Sequence, residues 1–315
     1  MGNLFKDLTA GFSSFVLSWL VPSTVFISLF ALFIYQPIVD GQPKAPNWST
    51  PLQTFISSGA IAATAAFALA VVVLALVTSL ASRPLYRVLE GYSLPQVLGR
   101  PLLIRQHRRY RRLQMAVRRR RGELAARGLA REELANYPTR TARILPTRLG
   151  NALKALETYG SDRYGLDSQT FWYEVYASAP ERCQTDADQA RASVDFFISI
   201  VGLLALLSAC AGVAGVTTGA SQCWVLALLA AAATRPAYSA AVRNMTDWRY
   251  AVQALVNLSR PGLAKGLGYR LPKTFTAERD FWMTWSHFVA GDPQDALSSL
   301  DERRLDYDDA DAELS

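Results

Sequence analysis

Residues 194–216 read VDFFISIVGLLALLSACAGVAGV, and residues 222–242 read QCWVLALLAAAATRPAYSAAV. Both stretches have roughly the 20 predominantly apolar residues that an α-helix needs to cross the hydrocarbon core of a bilayer. The connection between them, TTGAS at 217–221, is short enough to join antiparallel helices directly. The sequence therefore predicts a transmembrane hairpin made of these two helices.

Two more apolar stretches precede this hairpin. No charged side chain occurs in residues 15–35 or in residues 52–82, and each stretch is long enough to span a bilayer. Pro22 predicts a kink within the first of them, and residues 36–50 connect the two with a stretch rich in proline and glycine. The chain is therefore predicted to contain four transmembrane helices arranged as two antiparallel hairpins.

The charge distribution predicts the orientation of these helices. Residues 83–193 contain 21 basic and 11 acidic side chains. Because segments with an excess of arginine and lysine stay on the cytoplasmic side of a membrane, this segment is predicted to lie in the cytosol. Four helices then leave both termini cytoplasmic, and the predicted location is the plasma (inner) membrane.

The predicted fold class is all-α, with a four-helix membrane domain and a helical cytosolic domain. Within the C-terminal segment, a Gly/Pro-rich loop (Pro261 to Pro272) is predicted to precede an amphipathic aromatic helix. In chain order, the predicted segments are an interfacial amphipathic helix (1–14), the first transmembrane hairpin (15–82, spans 15–35 and 52–82), a basic cytosolic helical domain (83–193), the second transmembrane hairpin (194–242), a C-terminal cytosolic helical segment (243–300) and an acidic disordered tail (301–315).

A run of arginines follows the second predicted span on the cytoplasmic side. Such juxtamembrane clusters attract anionic lipid headgroups, with about 1 kcal/mol contributed by each base near the surface. The alternative is a solvated helix face that only fixes the topology. Nucleic acid is an unlikely partner for a membrane-tethered chain. The candidate lipid- and anion-binding residues are Arg108, Arg109, Arg111, Arg112, Arg118, Arg119, Arg120 and Arg121.

A second polar segment is residues 145–180, where turn and capping residues predict a helix hairpin. Its side chains form a cluster that binds a cytosolic ligand or a neighbouring subunit, or else they only tie the hairpin together by salt bridges. The candidate cluster comprises Arg148, Asn151, Glu157, Arg163, Tyr164 and Asp167.

This segment contains T-R-L-G-N at 147–151, the acid Glu157, R-Y-G-x-D at 163–167 and Trp172. In these motifs it resembles a region of uncharacterised multi-pass bacterial membrane proteins. It is confined to this segment, and it implies neither an activity nor a cofactor. It indicates only where in the chain a shared feature lies.

Signatures of catalysis and metal binding are scarce. The chain has no GxxxxGK[ST] motif, only two histidines (His107 and His287), and three cysteines too scattered for a CxxC pair. We therefore predict no catalytic residue, no metal site and no cofactor. We favour the interpretation that the protein is not an enzyme.

Two charged residues fall within the second hairpin, Asp195 near the inner end of its first span and Arg235 in the inner half of its second. They can pair across the hairpin, or Arg235 can line a polar pathway or extend to the cytoplasmic surface. Small residues in the spans permit close helix contacts, either within one subunit or in a homo-oligomer.

The sequence favours a scaffold or sensor whose cytosolic domain contacts anionic lipid or a protein partner. A homo-oligomeric channel or pore-forming component is the first alternative, and a membrane-bound enzyme is the second.

Overall fold

The computed structural model describes residues 15–40, 60–118, 124–289 and 300–305. These residues form helices and turns without a β-strand, and a single isolated bridge joins Tyr269 to Arg304. The all-α prediction is confirmed. The predicted interfacial helix at 1–14, the bases Arg119–Arg121 and residues 306–315 of the predicted tail lie outside the described residues.

Three helices are long and apolar enough to cross a membrane, which is compatible with a membrane protein. They are α1 (Val16–Val39), α9 (Glu181–Thr218) and α10 (Ser221–Gly266). Helix α1 begins with a π-helical turn at Val16–Leu20 and continues through Pro22 as a helix. The connection between α9 and α10 is formed by Gly219, whose φ is +69°, and Ala220.

The described part of the second predicted span (52–82) is a continuous helix up to Leu80, where the chain bends. Helix α2 (Ala60–Leu80) is followed after one residue by α3 (Ser82–Glu90), and the pair is bent by 51°. Pro84 explains the break, because its nitrogen carries no hydrogen to donate to the carbonyl of Leu80. The pair qualifies as a fourth membrane span only when its two parts are counted together.

The remaining helices are shorter. They are α4 (Gln96–Arg118), α5 (Leu124–Ala135), α6 (Arg148–Glu157), α7 (Tyr159–Tyr164), α8 (Trp172–Ala177) and α11 (Phe275–Val289). The predicted loop from Pro261 to Pro272 is wrong in its first half, because helix α10 continues to Gly266. Burial of the apolar side chains of Leu263 and Ala264 stabilises this last helical turn after Pro261.

The chain divides into two compact units. Unit 1 comprises Met1–Leu89 and Arg191–Asn244, and unit 2 comprises Glu90–Ala190 and Met245–Ser315. The core of unit 1 joins α1, α9 and α10 around side chains such as Phe26, Leu207 and Leu226. Near the α9–α10 turn, a Cβ on Gly215 would lie 3.0 Å from the Trp224 ring, so the small residue permits a close helix contact.

The core of unit 2 is aromatic. Phe281, Trp282 and Trp285 of α11 are buried, and the ring centroids of Phe171 and Trp285 lie 4.3 Å apart. Large aromatic side chains contribute much of the apolar area that a small domain buries. The aromatic helix at the C-terminal end is therefore a core element of unit 2.

Candidate functional site

Helix α4 carries the described part of the arginine run. It contains seven arginines and neither aspartate nor glutamate. At about 100° per residue, six of these arginines fall within an arc of about 140°. All six are exposed: Arg100, Arg105, Arg108, Arg111, Arg112 and Arg118.

Exposed apolar side chains lie on the same side of α4. Val97, Ile104 and Met115 have exposed fractions of 84%, 53% and 57%. The helical period directs all three into the arc that the arginines occupy. This surface, which we call the arginine face, therefore combines positive charge with apolar side chains that point outward.

The opposite side of α4 faces the interior of unit 2. Tyr110 and Gln106 are buried there, and the hydroxyl of Tyr137 donates a hydrogen bond of 2.8 Å to the Gln106 amide oxygen. Arg109 differs from the exposed arginines because it pairs with Glu133 of α5. These contacts fix the rotation of α4 and thereby keep the arginine face exposed.

The predicted polar cluster does not converge on one point. Arg148 lies 3.9 Å from Glu133, and Lys154 pairs with Glu157 at 3.0 Å. Burial alone would lower the pKa of Lys154, but the hydrogen bond and the charge of Glu157 outweigh it and raise that pKa. Glu157 and Asp167 both line a shallow cavity of about 490 Å³.

The T-R-L-G-N stretch has a local structural explanation. The hydroxyl of Thr147 accepts a hydrogen bond of 3.0 Å from the Gly150 nitrogen, as the N-cap of α6. The buried Asn151 side chain bonds both backbone groups of Leu145, at 2.7 and 2.9 Å. Thr147 also donates to the Glu90 carbonyl, 2.9 Å away. These residues build the start of α6.

The R-Y-G-x-D stretch forms the turn that follows. Gly165 has a φ of +77°, which other residues rarely adopt, and it ends α7. The Asp167 carboxylate accepts from the nitrogens of Gln169 and Thr170, at 3.2 and 3.3 Å, and so closes the next turn. Asp167 therefore has a position in a turn as well as on a cavity wall.

Arg163 and Tyr164 lie on a larger cavity. The Tyr164 hydroxyl donates 2.9 Å to the Asn257 side chain, and the Arg260 guanidinium lies 3.6 Å from the centre of the Tyr164 ring. Burial raises the pKa of Tyr164 and Tyr159 adds to the effect, although Arg260 opposes it. The hydroxyl therefore stays protonated at neutral pH.

Three charged residues that line this cavity, Arg131, Asp162 and Arg249, are not among the site residues predicted from the sequence. They come from α5, α7 and α10, which are far apart in the chain, so no local spacing could connect them. The adjacency of Asp162 to Arg163 was the only signal in the sequence.

Asp195 and Arg235 belong to unit 1. Asp195 accepts a hydrogen bond of 2.5 Å from the Tyr86 hydroxyl and lies 3.8 Å from Arg191. Its closest partners are thus on α3 and on its own helix. Arg235 is exposed.

The described residues contain no cluster of three histidine, cysteine or acidic side chains suited to a metal ion. Comparison with known proteins adds no identity, because no protein family, no curated protein and no solved structure matches this chain significantly.

Proposed function

We propose that this chain is a multi-pass plasma-membrane protein, a non-enzymatic scaffold or sensor whose cytosolic domain binds anionic lipid headgroups. In this proposal the bent pair α2–α3 is the fourth span, so both termini are cytoplasmic. The uncharged sequence of α2 supports that assignment. The arginine face of α4 is the lipid-binding surface.

The observation that carries the proposal is the mixture of side chains on the arginine face. Exposed Val97, Ile104 and Met115 are unfavourable in water, yet they suit the boundary between headgroups and acyl chains. The arginines beside them match the phosphates of the headgroups. A nucleic-acid backbone would satisfy the arginines and leave these apolar side chains without a partner.

The test is titration of detergent-solubilised full chain with short-chain phosphatidylglycerol or phosphatidylcholine, with bound lipids counted by native mass spectrometry. The double variant Arg111→Gln/Arg118→Gln removes two bases of the arginine face. At about 1 kcal/mol per base, affinity for phosphatidylglycerol should fall roughly fivefold for each arginine, while phosphatidylcholine binding should not change. Ile104→Gln/Met115→Gln should weaken binding of the same anionic lipid.

The matched control is Arg182→Gln/Arg304→Gln, which removes the same charge from exposed side chains of unit 2 outside α4. This control should leave phosphatidylglycerol affinity unchanged. If Arg111→Gln/Arg118→Gln and this control lose phosphatidylglycerol affinity equally, the arginine face is not a lipid-binding surface. Equal affinity of the unmodified chain for phosphatidylglycerol and phosphatidylcholine would show the same.

A further inference from the structure

Unit 2 contains a polar cavity of about 680 Å³, which is within the range of small-molecule sites. Its wall is formed by α4, α5, α6, α7, α10 and residues 137–139, and it carries charged and aromatic side chains. Residues that define its chemistry are Tyr110, Arg131, Asp162, Arg163, Tyr164 and Arg249.

Arg249 is the most deeply placed charge of this wall, with an exposed fraction of 3%. Its Nε donates 3.2 Å to Asn136, and its guanidinium lies 4.4 Å from the Tyr250 ring centre. Its Nη2 is buried and finds no acceptor among the described residues. A buried, charged donor without a hydrogen-bond acceptor costs free energy. A ligand that places an acceptor beside Arg249 Nη2 would therefore be bound favourably.

Asp162 provides the complementary group. Its Oδ1 lies 3.9 Å from Arg140 and 3.8 Å from Arg143, whereas its buried Oδ2 has no donor among the described residues. Since those two arginines balance the carboxylate, the surroundings of the cavity remain positive. A ligand that suits both atoms carries an anion for Arg249 and a hydroxyl donor for Asp162.

We propose that this cavity binds a small hydroxyl-bearing phosphate, of which a sugar phosphate is the simplest example. Arg249 binds the phosphate from within, and Arg131 and Arg163, which are exposed, bind it from the rim. A ligand hydroxyl donates to Asp162 Oδ2. The same chemistry occurs in a free metabolite and in a glycerol-phosphate lipid headgroup.

The site is independent of the arginine face. The only residue of α4 among those that define it is Tyr110, which lies on the buried side of that helix. Substitutions on the arginine face therefore leave the cavity intact, and cavity variants leave the arginine face intact. Either proposal can fail without the other.

The experiment is isothermal titration calorimetry of the full chain in detergent with ribose 5-phosphate, ribose and inorganic phosphate. Ribose 5-phosphate should bind more tightly than either half, because only it supplies both the anion and the hydroxyl. Asp162→Asn should remove most of its advantage over inorganic phosphate. A chain that binds no ribose 5-phosphate at millimolar concentration overturns the proposal.

Substitutions of two residues that line the cavity test where ribose 5-phosphate binds. Arg163→Gln should weaken ribose 5-phosphate binding about tenfold, the effect of losing one charge-assisted contact. Ala155→Phe should weaken binding by narrowing the cavity, since Ala155 lines it. The control Arg182→Gln changes an exposed arginine elsewhere in unit 2. Arg249→Gln is the most direct variant, but it can fail to fold because Arg249 is buried. Unchanged ribose 5-phosphate binding in both Arg163→Gln and Ala155→Phe would therefore overturn the proposed site by itself.

Competition distinguishes the two sources of ligand. If phosphatidylglycerol displaces ribose 5-phosphate and Arg163→Gln weakens both, the cavity accepts a lipid headgroup. If phosphatidylglycerol does not displace it, the ligand is a free phosphate. Both results support the shared chemistry, whereas ribose 5-phosphate binding that is insensitive to every cavity variant contradicts it.

Discussion

At the scale of single residues, unit 2 contains a buried ion pair with aromatic neighbours. Arg260 of α10 pairs with Glu278 of α11, and the Trp282 indole donates 3.2 Å to the same carboxylate. The Arg260 guanidinium also lies over the ring of Tyr164. Because both charges are largely removed from water, their mutual attraction mainly offsets the cost of desolvation.

Glu278→Leu should therefore destabilise unit 2 by about 3 kcal/mol or more, because it leaves Arg260 buried without its partner. The double variant Arg260→Met/Glu278→Leu should recover most of that loss, since neither charge then remains. Pulse proteolysis of the full chain in urea measures both free energies. A double variant that is less stable than Glu278→Leu would mean that the pair itself, and not the unpaired charge, determines stability.

At the scale of one element, the start of α6 depends on a glycine that touches backbone. A Cβ on Gly150 would overlap the carbonyl oxygen of Glu90 and lie 2.9 Å from the Thr147 hydroxyl oxygen. Backbone cannot give way as a flexible side chain does. The Thr147 cap and its bond to Glu90 occur at the same point, so the position of α6 depends on this close approach.

Gly150→Ala should raise the hydrogen-exchange rates of α6 amides, with a loss of about 1 to 3 kcal/mol in the local free energy of opening. Gly128 in α5 is the matched control, because a Cβ there would meet nothing within 4 Å. Gly128→Ala should stabilise α5 by about 0.5 to 1 kcal/mol. Similar effects of the two substitutions would contradict a specific contact at Gly150.

The same elements explain how far sequence reasoning reaches. Long apolar stretches predict the apolar parts of α1, α9 and α10, because apolar length is a property of consecutive residues. The N-cap of α6 at Thr147 is also a local feature, which can be predicted from the residue types around it. The bend at Ala81 depends on Pro84, which lies just beyond the uncharged stretch 52–82 and therefore outside the predicted span. The end of α10 at Gly266 depends on packing beyond Pro261, which no local pattern records.

The cavity of unit 2 illustrates the other limit. Arg163 and Tyr164 are evident as polar residues in a turn, but their partners Arg131 and Arg249 come from distant helices. The hydrogen-bonding needs of Arg249 arise only after folding has buried it. A single sequence shows which side chains are available for chemistry, whereas the fold determines which atoms are left without a partner.

At the scale of the whole molecule, the topology depends on whether α2 crosses the membrane. Four spans leave both termini on one side, whereas the three spans α1, α9 and α10 would leave them on opposite sides. The connection between α1 and α2 is the discriminating segment. With four spans it shares a compartment with the α9–α10 turn, and with three spans it shares one with the C-terminal end.

We expect the four-span arrangement, because α2 is uncharged and the bent pair qualifies together. Single cysteines at Asn3, Lys44, Thr217 and Asp301, in a chain whose three native cysteines are serine, would be labelled with an impermeant maleimide on intact cells. Lys44→Cys and Thr217→Cys should react directly, and Asn3→Cys and Asp301→Cys only after permeabilisation. Reaction of Asn3→Cys together with Thr217→Cys, and protection of Lys44→Cys, would instead establish three spans. The bent pair would then have to lie on one side of the bilayer.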